Sequence, residues 1–327
     1  MILAATPSTS HPDAPSRAKQ RFARASWGAL AFTIFVILWG AFVRATGSGA
    51  GCGSHWPLCN GEVLPQDPTT HTVIEFTHRA TSGLSLLLVL GLFFWARKLY
   101  PTAQHFVRRM AKLSLIGMIL EALLGAGLVL LELVAEDKSV TRAVSISLHL
   151  VNTSFLTAAM TLLASGASRD LQGQPLRALW ITPTLRKRAI WVISTFLVLG
   201  AAGAITALGD TLFKAESLAH GIQMDLAPGA HFLLRLRVIH PVLAILWGVG
   251  SLGWLLGLRY PGNALGLTAN PARIAALLIL SNLLLGGLNL LLLAPTQLQI
   301  AHLAMANLIW IQLILTFSGG EPALKNQ

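Results

Sequence analysis

Eight apolar runs, each near 20 residues long, follow one another between Ser26 and Ser318, separated by short polar segments. A run of that length spans a bilayer as an α-helix, which satisfies its own backbone hydrogen bonds in lipid. The pattern predicts spans at 27–44, 76–96, 111–133, 141–164, 189–208, 233–257, 272–294 and 299–318. The fold class is therefore all-α integral membrane, with eight transmembrane helices. Residues 1–25 are polar and contain Pro and Ser but no apolar stretch, and read as a flexible tail rather than a cleavable signal peptide. Composition agrees: 54% of residues are hydrophobic and 11% charged, against roughly 25% charged in a typical globular protein.

Charge orients the helices. The net charge of +11 could suggest nucleic acid, but the basic residues sit in short segments between apolar runs and form no nucleic-acid module. If the N-terminus is inside, only Arg44, Arg79, Lys138, Arg142, Lys214, Arg235 and Arg237 of the 24 Lys and Arg residues fall outside. The positive-inside rule then predicts a multi-pass protein of the inner (cytoplasmic) cell membrane with both termini in the cytoplasm. Cys52 and Cys59 fall in the first outer loop, on the oxidising side, where a cysteine pair can form a disulfide. The pair reads either as a structural clip or as a redox-active couple, and with only His55 between them it makes a poor zinc site.

The chain also resembles one four-helix unit used twice. ILEALLGAGLVLLEL (119–133) is similar to ILSNLLLGGLNLLLL (279–293), and HLVNTSFL from His149 to HLAMANLI from His302. His78 in the second helix corresponds to His240 in the sixth. A repeat of even helix number keeps one orientation in both halves. His78, His149, His240 and His302 then share one depth near the outer face, each within about two turns of its predicted helix start. Two histidines from different helices in each half suit a flat macrocycle gripped from both sides in a bundle. Taken singly, each also reads as an interfacial histidine hydrogen-bonded to a neighbour.

Further polar residues accompany them. Glu75 precedes His78 by three positions and shares its helix face, so it could shuttle protons beside a ligand or serve as a helix N-terminal acid. Glu121 lies in the middle of the third helix, where an unpartnered carboxylate is costly, and its role stays open. Arg79, Arg142, Arg235 and Arg237 stand at the outer ends of histidine-bearing helices, as partners for haem propionates or as solvated helix-end charges.

RATGSGAGCGSHWPLCNG (44–61), EFTHR (75–79), GDTLF (209–213), RLRVIHP (235–241) and the two HL helices resemble the haem A synthase family. The resemblance runs from about Leu30 to Ser318. It implies oxidation of the C8 methyl group of haem O to the formyl group of haem A, through a hydroxymethyl and a hydrated aldehyde. It assigns His240 and His302 to a resident haem b; by position alone, Arg235 and Arg237 are candidates for its propionates. It assigns His78 and His149 to the substrate haem O, beside which Arg79 and Arg142 stand by position, Glu75 to acid/base catalysis, and Cys52 and Cys59 to a loop disulfide. The domains it suggests are a tail (1–25), an N-terminal bundle with the substrate site (26–165), a cytoplasmic linker (166–188), a C-terminal bundle with haem b (189–318) and a second tail (319–327). The second cysteine pair that some members carry has no counterpart in Ala207–Leu234, which argues against an electron route needing both. The implied partners are haem O, haem O synthase, an electron acceptor and membrane lipid, with a homo-oligomer allowed. The histidines alone suit a di-haem electron-transfer protein or a non-catalytic haem carrier for oxidase assembly equally well.

Overall fold

The computed structural model describes residues 17–174, 183–259, 271–318 and 323–324. Ten helices are present among them: α1 (Arg17–Ala45), α2 (Thr70–Leu99), α3 (Phe106–Leu130), α4 (Val140–Leu171), α5 (Pro183–Leu212), α6 (Leu218–Leu226), α7 (Phe232–Arg237), α8 (Ile239–Gly257), α9 (Pro271–Leu291) and α10 (Thr296–Ser318). A two-residue antiparallel pairing joins β1 (Leu258–Arg259) to β2 (Ala323–Leu324). Eight segments are long and apolar enough to cross a membrane, α7 and α8 together forming the sixth as Phe232–Leu256. Large apolar side chains such as Leu87, Leu123, Phe155, Leu246 and Leu284 are exposed along them. In a soluble protein such surface would be a liability, whereas here it is the face that lipid covers.

The break in the sixth span follows from Pro241. A proline cannot donate to the carbonyl four residues back and its ring crowds it, so the helix yields near Val238. The released Arg237 carbonyl accepts a hydrogen bond from Thr206 Oγ1 at 3.4 Å. His240 thereby follows directly on a helix interruption, one residue into α8.

Helices α1 to α4 form one ring of neighbours, α1 touching α2 and α4, and α3 touching α2 and α4. A second ring runs from α5 through α7 and α8 to α9 and α10. The two meet along a seam of α1 and α4 against α5 and α10. The first ring packs around Phe22, Val89, Val107, Leu156, Met160 and Leu163, and the second around Val192, Leu255, Ile279, Ile309 and Leu313, all nearly inaccessible.

Helix ends differ from the hydropathy pattern, because that pattern sees apolar residues and not caps. α2 begins at Thr70 rather than residue 76, with Thr69 accepting from the Thr72 amide; α4 begins at Val140, with Ser139 accepting from the Arg142 amide. Residues 17–25 of the predicted flexible tail are instead the first turns of α1. Phe22 is fully buried against Trp95 and Tyr100, and Lys19 pairs with Asp170 at 2.9 Å. α4 continues to Leu171 and α5 starts at Pro183, which shortens the predicted 166–188 linker. The rest of the first tail (1–16), residues 175–182 of the linker, and 319–322 and 325–327 of the second tail lie outside the described residues.

Candidate functional site

The four histidines of interest stand at similar distances from the loop-side ends of their spans. His78, His149, His240 and His302 lie roughly 9–14 Å along the axis from Thr70, Val140, Phe232 and Thr296, at 1.5 Å per residue. They sit about two turns in. His78 and His302 lie deeper than the apolar pattern indicates, because their spans begin at Thr70 and Thr296 rather than at 76 and 299. The starts before His149 and His240 move by one residue.

Glycines on neighbouring helices make room for the imidazoles. A Cβ on Gly40 would stand 2.9 Å from His78 Cε1, one on Gly203 2.9 Å from His240 Cε1, and one on Gly286 3.0 Å from His302 Cε1. For His149 the neighbour is Gly125, where a Cβ would be 4.0 Å from Nε2. Three rings thus occupy notches that any larger residue would fill. Here the missing side chain serves close approach rather than backbone freedom.

The Nδ1 environment settles which nitrogen is free for His240 alone. His240 Nδ1 lies 3.2 Å from the Leu199 carbonyl, which only accepts, so Nδ1 carries the proton and Nε2 keeps its lone pair. His302 Nδ1 is buried without a hydrogen-bond partner. His149 Nδ1 lies 3.2 Å from Glu121 Oε1, within ion-pair distance although out of hydrogen-bond alignment. His78 Nδ1 is buried with no hydrogen-bond partner. The His240 and His302 ring centroids are 6.4 Å apart, with ring planes at 89°. With a metal–imidazole bond of about 2.1 Å, two rings facing one metal ion stand about 6 Å apart. No cluster of three or more His, Cys, Asp or Glu side chains with bare metal-ion geometry occurs among the described residues. The arrangement offers pairs, which is the donor set of axial ligation to a macrocycle.

Above the His78 end of α2 lies the 46–69 loop, closed by the Cys52–Cys59 disulfide, with both cysteines buried. It rests directly on the start of α2. A Cβ on Gly51 would come within 2.4 Å of the His71 carbonyl oxygen, and Thr72 Oγ1 donates to the Gly51 carbonyl at 2.9 Å. Glu75, 3% exposed, accepts from the Cys52 amide at 2.9 Å through Oε2 and meets Arg79 Nη2 at 2.5 Å through Oε1. Arg79 Nη1 in turn donates to the His55 and Leu58 carbonyls. Glu75 and Arg79 therefore clamp the disulfide loop to the helix that carries His78.

The family model of the cytochrome oxidase assembly proteins matches residues 23–314. The chain belongs to this family. It is 46% identical over 299 residues to a Thermus thermophilus protein named protohaem IX farnesyltransferase, a match covering 89% of this chain and 47% of that protein. Haem A synthases of Shouchella clausii and Geobacillus kaustophilus are 44% and 42% identical over 97 and 106 residues, 29% and 32% of this chain and 32% and 33% of those proteins. The chain spans about half the length, or less, of the curated relatives it matches. The family and the haem A synthase relatives agree with the resemblance carried by the sequence motifs, whereas the Thermus protein bears a different name.

The predicted arginines have differing surroundings. Arg142 is buried and donates to the Ala135 and Asp137 carbonyls at 2.6 and 2.7 Å. Arg237 pairs with Asp225 at 2.6 Å and Asp210 at 3.3 Å. Burial raises the Asp225 carboxyl above its usual range, against the opposing pull of Arg237. Arg79 is committed to the clamp. Arg235 is exposed, its side chain making no hydrogen bond or ion pair among the described residues, and borders a groove of about 520 Å³ lined by Leu226, Pro228, Val238 and Val242.

Two polar residues gain roles that pattern reading does not supply. Arg44 donates to the Ala207 carbonyl and Thr211 Oγ1 at 2.6 Å each and to Gln299 Oε1 at 2.9 Å, tying α1 to α5 and α10. Glu121 is held by Asn152 Nδ2 at 2.6 Å and by Thr153 Oγ1, as well as facing His149. The only signal for either is a charged residue in an apolar run, since partners so distant in sequence leave no local pattern.

Proposed function

We propose that the chain is a haem A synthase, a membrane oxidoreductase that converts the C8 methyl group of haem O to the formyl group of haem A by successive hydroxylations for terminal-oxidase biogenesis. The observation that carries this reading is the set of four imidazoles at similar depth, three of them seated in glycine notches, in a chain of the cytochrome oxidase assembly family.

In this reading His240 and His302 hold a resident haem b, which supplies one-electron transfer when bound. Their ring separation and the free Nε2 of His240 fit two axial ligands. His78 and His149 hold the substrate haem O in the other half. Arg235, the predicted arginine without a protein partner, is placed to meet an anionic haem edge, while Arg79, Arg142 and Arg237 hold the scaffold around the sites. Glu75 takes protons beside His78. Its Oε1 is held by Arg79 and its Oε2 by the Cys52 amide. The apolar helices around both pairs exclude water and so strengthen these polar contacts.

The architecture follows the same reading. The bundles at 26–165 and 189–318 are duplicates, both termini face the cytoplasm, and the histidines lie toward the outer face of the cell membrane. A farnesyltransferase acting on protohaem makes a farnesylated, strongly apolar haem. The Thermus relatives bearing that name continue well beyond the matched region, which favours docking with haem O synthase and direct hand-over of haem O. An electron acceptor completes the partners.

One observation favours a second reading, a di-haem electron-transfer protein. Both Glu75 oxygens are already engaged, so a purely structural clamp would account for the residue. Supplying haem O to cells expressing the chain and identifying the extracted haems by mass separates the readings. Haem A in the extract supports the enzyme; unaltered haem O beside a folded, haem-loaded chain contradicts it.

A further inference from the structure

Glu121 is a carboxylate inside a membrane helix, where an ionisable group is costly to keep unless it acts. Its side chain faces three groups on α4: His149 Nδ1 at 3.2 Å, Asn152 Nδ2 at 2.6 Å and the Thr153 hydroxyl. Asn152 also donates to the Gly117 carbonyl at 3.0 Å, which fixes its amide toward the carboxylate. The other half has none of this. The matching segments place Ser281, Met305 and Ala306 where Glu121, Asn152 and Thr153 stand. There His302 Nδ1 has no carboxylate within ion-pair distance, and His240 Nδ1 meets the Leu199 carbonyl. The second half therefore positions two imidazoles without a carboxylate, so packing alone does not require one in the first.

We propose that Glu121 is a positioning residue for His149, attracting its Nδ1 side across the 3.2 Å separation so that Nε2 faces the ligand, and making this imidazole more electron-donating than the other three. A carboxylate behind a metal-bound histidine fixes its tautomer and raises its basicity. The consequence is a division between the two haem sites: iron held by His149 favours the ferric state more than iron held by His240 and His302. Asn152 and Thr153 limit the effect by drawing on the same carboxylate. The inference rests on the assignment of His78 and His149 as a haem-binding pair.

The test is a potentiometric titration of the full chain purified with haem bound at both pairs. Glu121→Gln preserves size and removes the charge. It is expected to weaken one site's preference for ferric haem about tenfold, an upward shift of about 59 mV in one midpoint, and to leave the other unmoved. Thr153→Val frees the carboxylate from a competing donor and is expected to move the same midpoint downward, a change of sign that loss of packing does not produce. It also provides the reading if the glutamine variant fails to accumulate. His149→Ala should remove that midpoint altogether. Unchanged midpoints in either Glu121→Gln or Thr153→Val, with one haem lost in His149→Ala, would overturn the role of Glu121 and leave the histidine assignment standing. Two haems retained in His149→Ala would overturn both.

Discussion

The Cys52 amide donates to Glu75 Oε2 at 2.9 Å, and this bond joins a disulfide loop to the helix that carries His78. Arg79 completes the clamp, binding Glu75 on one side and the His55 and Leu58 carbonyls on the other. A residue three positions from a proposed ligand thus anchors the loop, and substitutions separate this role from its proposed proton transfer. Glu75→Gln keeps the acceptor for Cys52 and should preserve haem content while stopping haem A formation. Glu75→Ala leaves Arg79 without its partner and should also destabilise the fold by about 3 kcal/mol. Thermal unfolding in detergent beside haem analysis checks both; native haem A output from either variant would reduce Glu75 to an anchor.

The disulfide closes a loop with a sequence separation of 7 between two buried cysteines. In a chain-entropy account, a loop of this size contributes about 2–3 kcal/mol. The Cys52→Ser/Cys59→Ser double variant should therefore melt at lower temperature, by an amount that reduction of the native chain reproduces. If haem A output per folded molecule survives, the pair is a clip; if output is lost while haem content stays, the pair handles electrons.

Gly203 tests the ligand pocket without touching a ligand. A methyl group there would lie 2.9 Å from His240 Cε1 and displace the ring. Gly203→Ala should lower the resident haem content with helicity unchanged, because alanine is also the better helix former. Full haem occupancy in this variant would mean that His240 is not held in the notch when the site is loaded.

Arg44 pins the seam between the two helical rings through three hydrogen bonds to α5 and α10. Hydrogen bonds to charged groups contribute about 1.5–3 kcal/mol each, and buried acceptors left unpaired add to the loss. Arg44→Leu should cost about 3 kcal/mol overall, read as a lower melting temperature. A melting temperature equal to that of the native chain would show that the halves associate without it.

The eight spans were readable because lipid demands length and apolarity, and both are written locally in the chain. Helix starts were less readable: Thr69 and Ser139 extend α2 and α4 through side-chain caps that hydropathy does not register. His78, His149, His240 and His302 stood out because histidine is rare in such runs and recurred with the internal similarity. Their glycine neighbours did not, since Gly40, Gly203 and Gly286 lie on other helices and mean nothing until those helices pack. The arginines were the least legible. Their position at helix ends suggested anionic ligands, yet Arg79, Arg142 and Arg237 find carbonyls and carboxylates of the chain itself, contacts that only the folded loops create.

The central claim is that two unlike haems sit on the two histidine pairs. The most direct measurement is the haem stoichiometry and identity, by mass, of the full chain purified from cells that also make haem O. The predicted result is two haems per chain: one haem b, lost in His302→Ala, and one farnesylated haem carrying an oxidised C8 substituent, lost in His78→Ala. Two haem b molecules per chain, with no farnesylated haem bound at either pair, would contradict it.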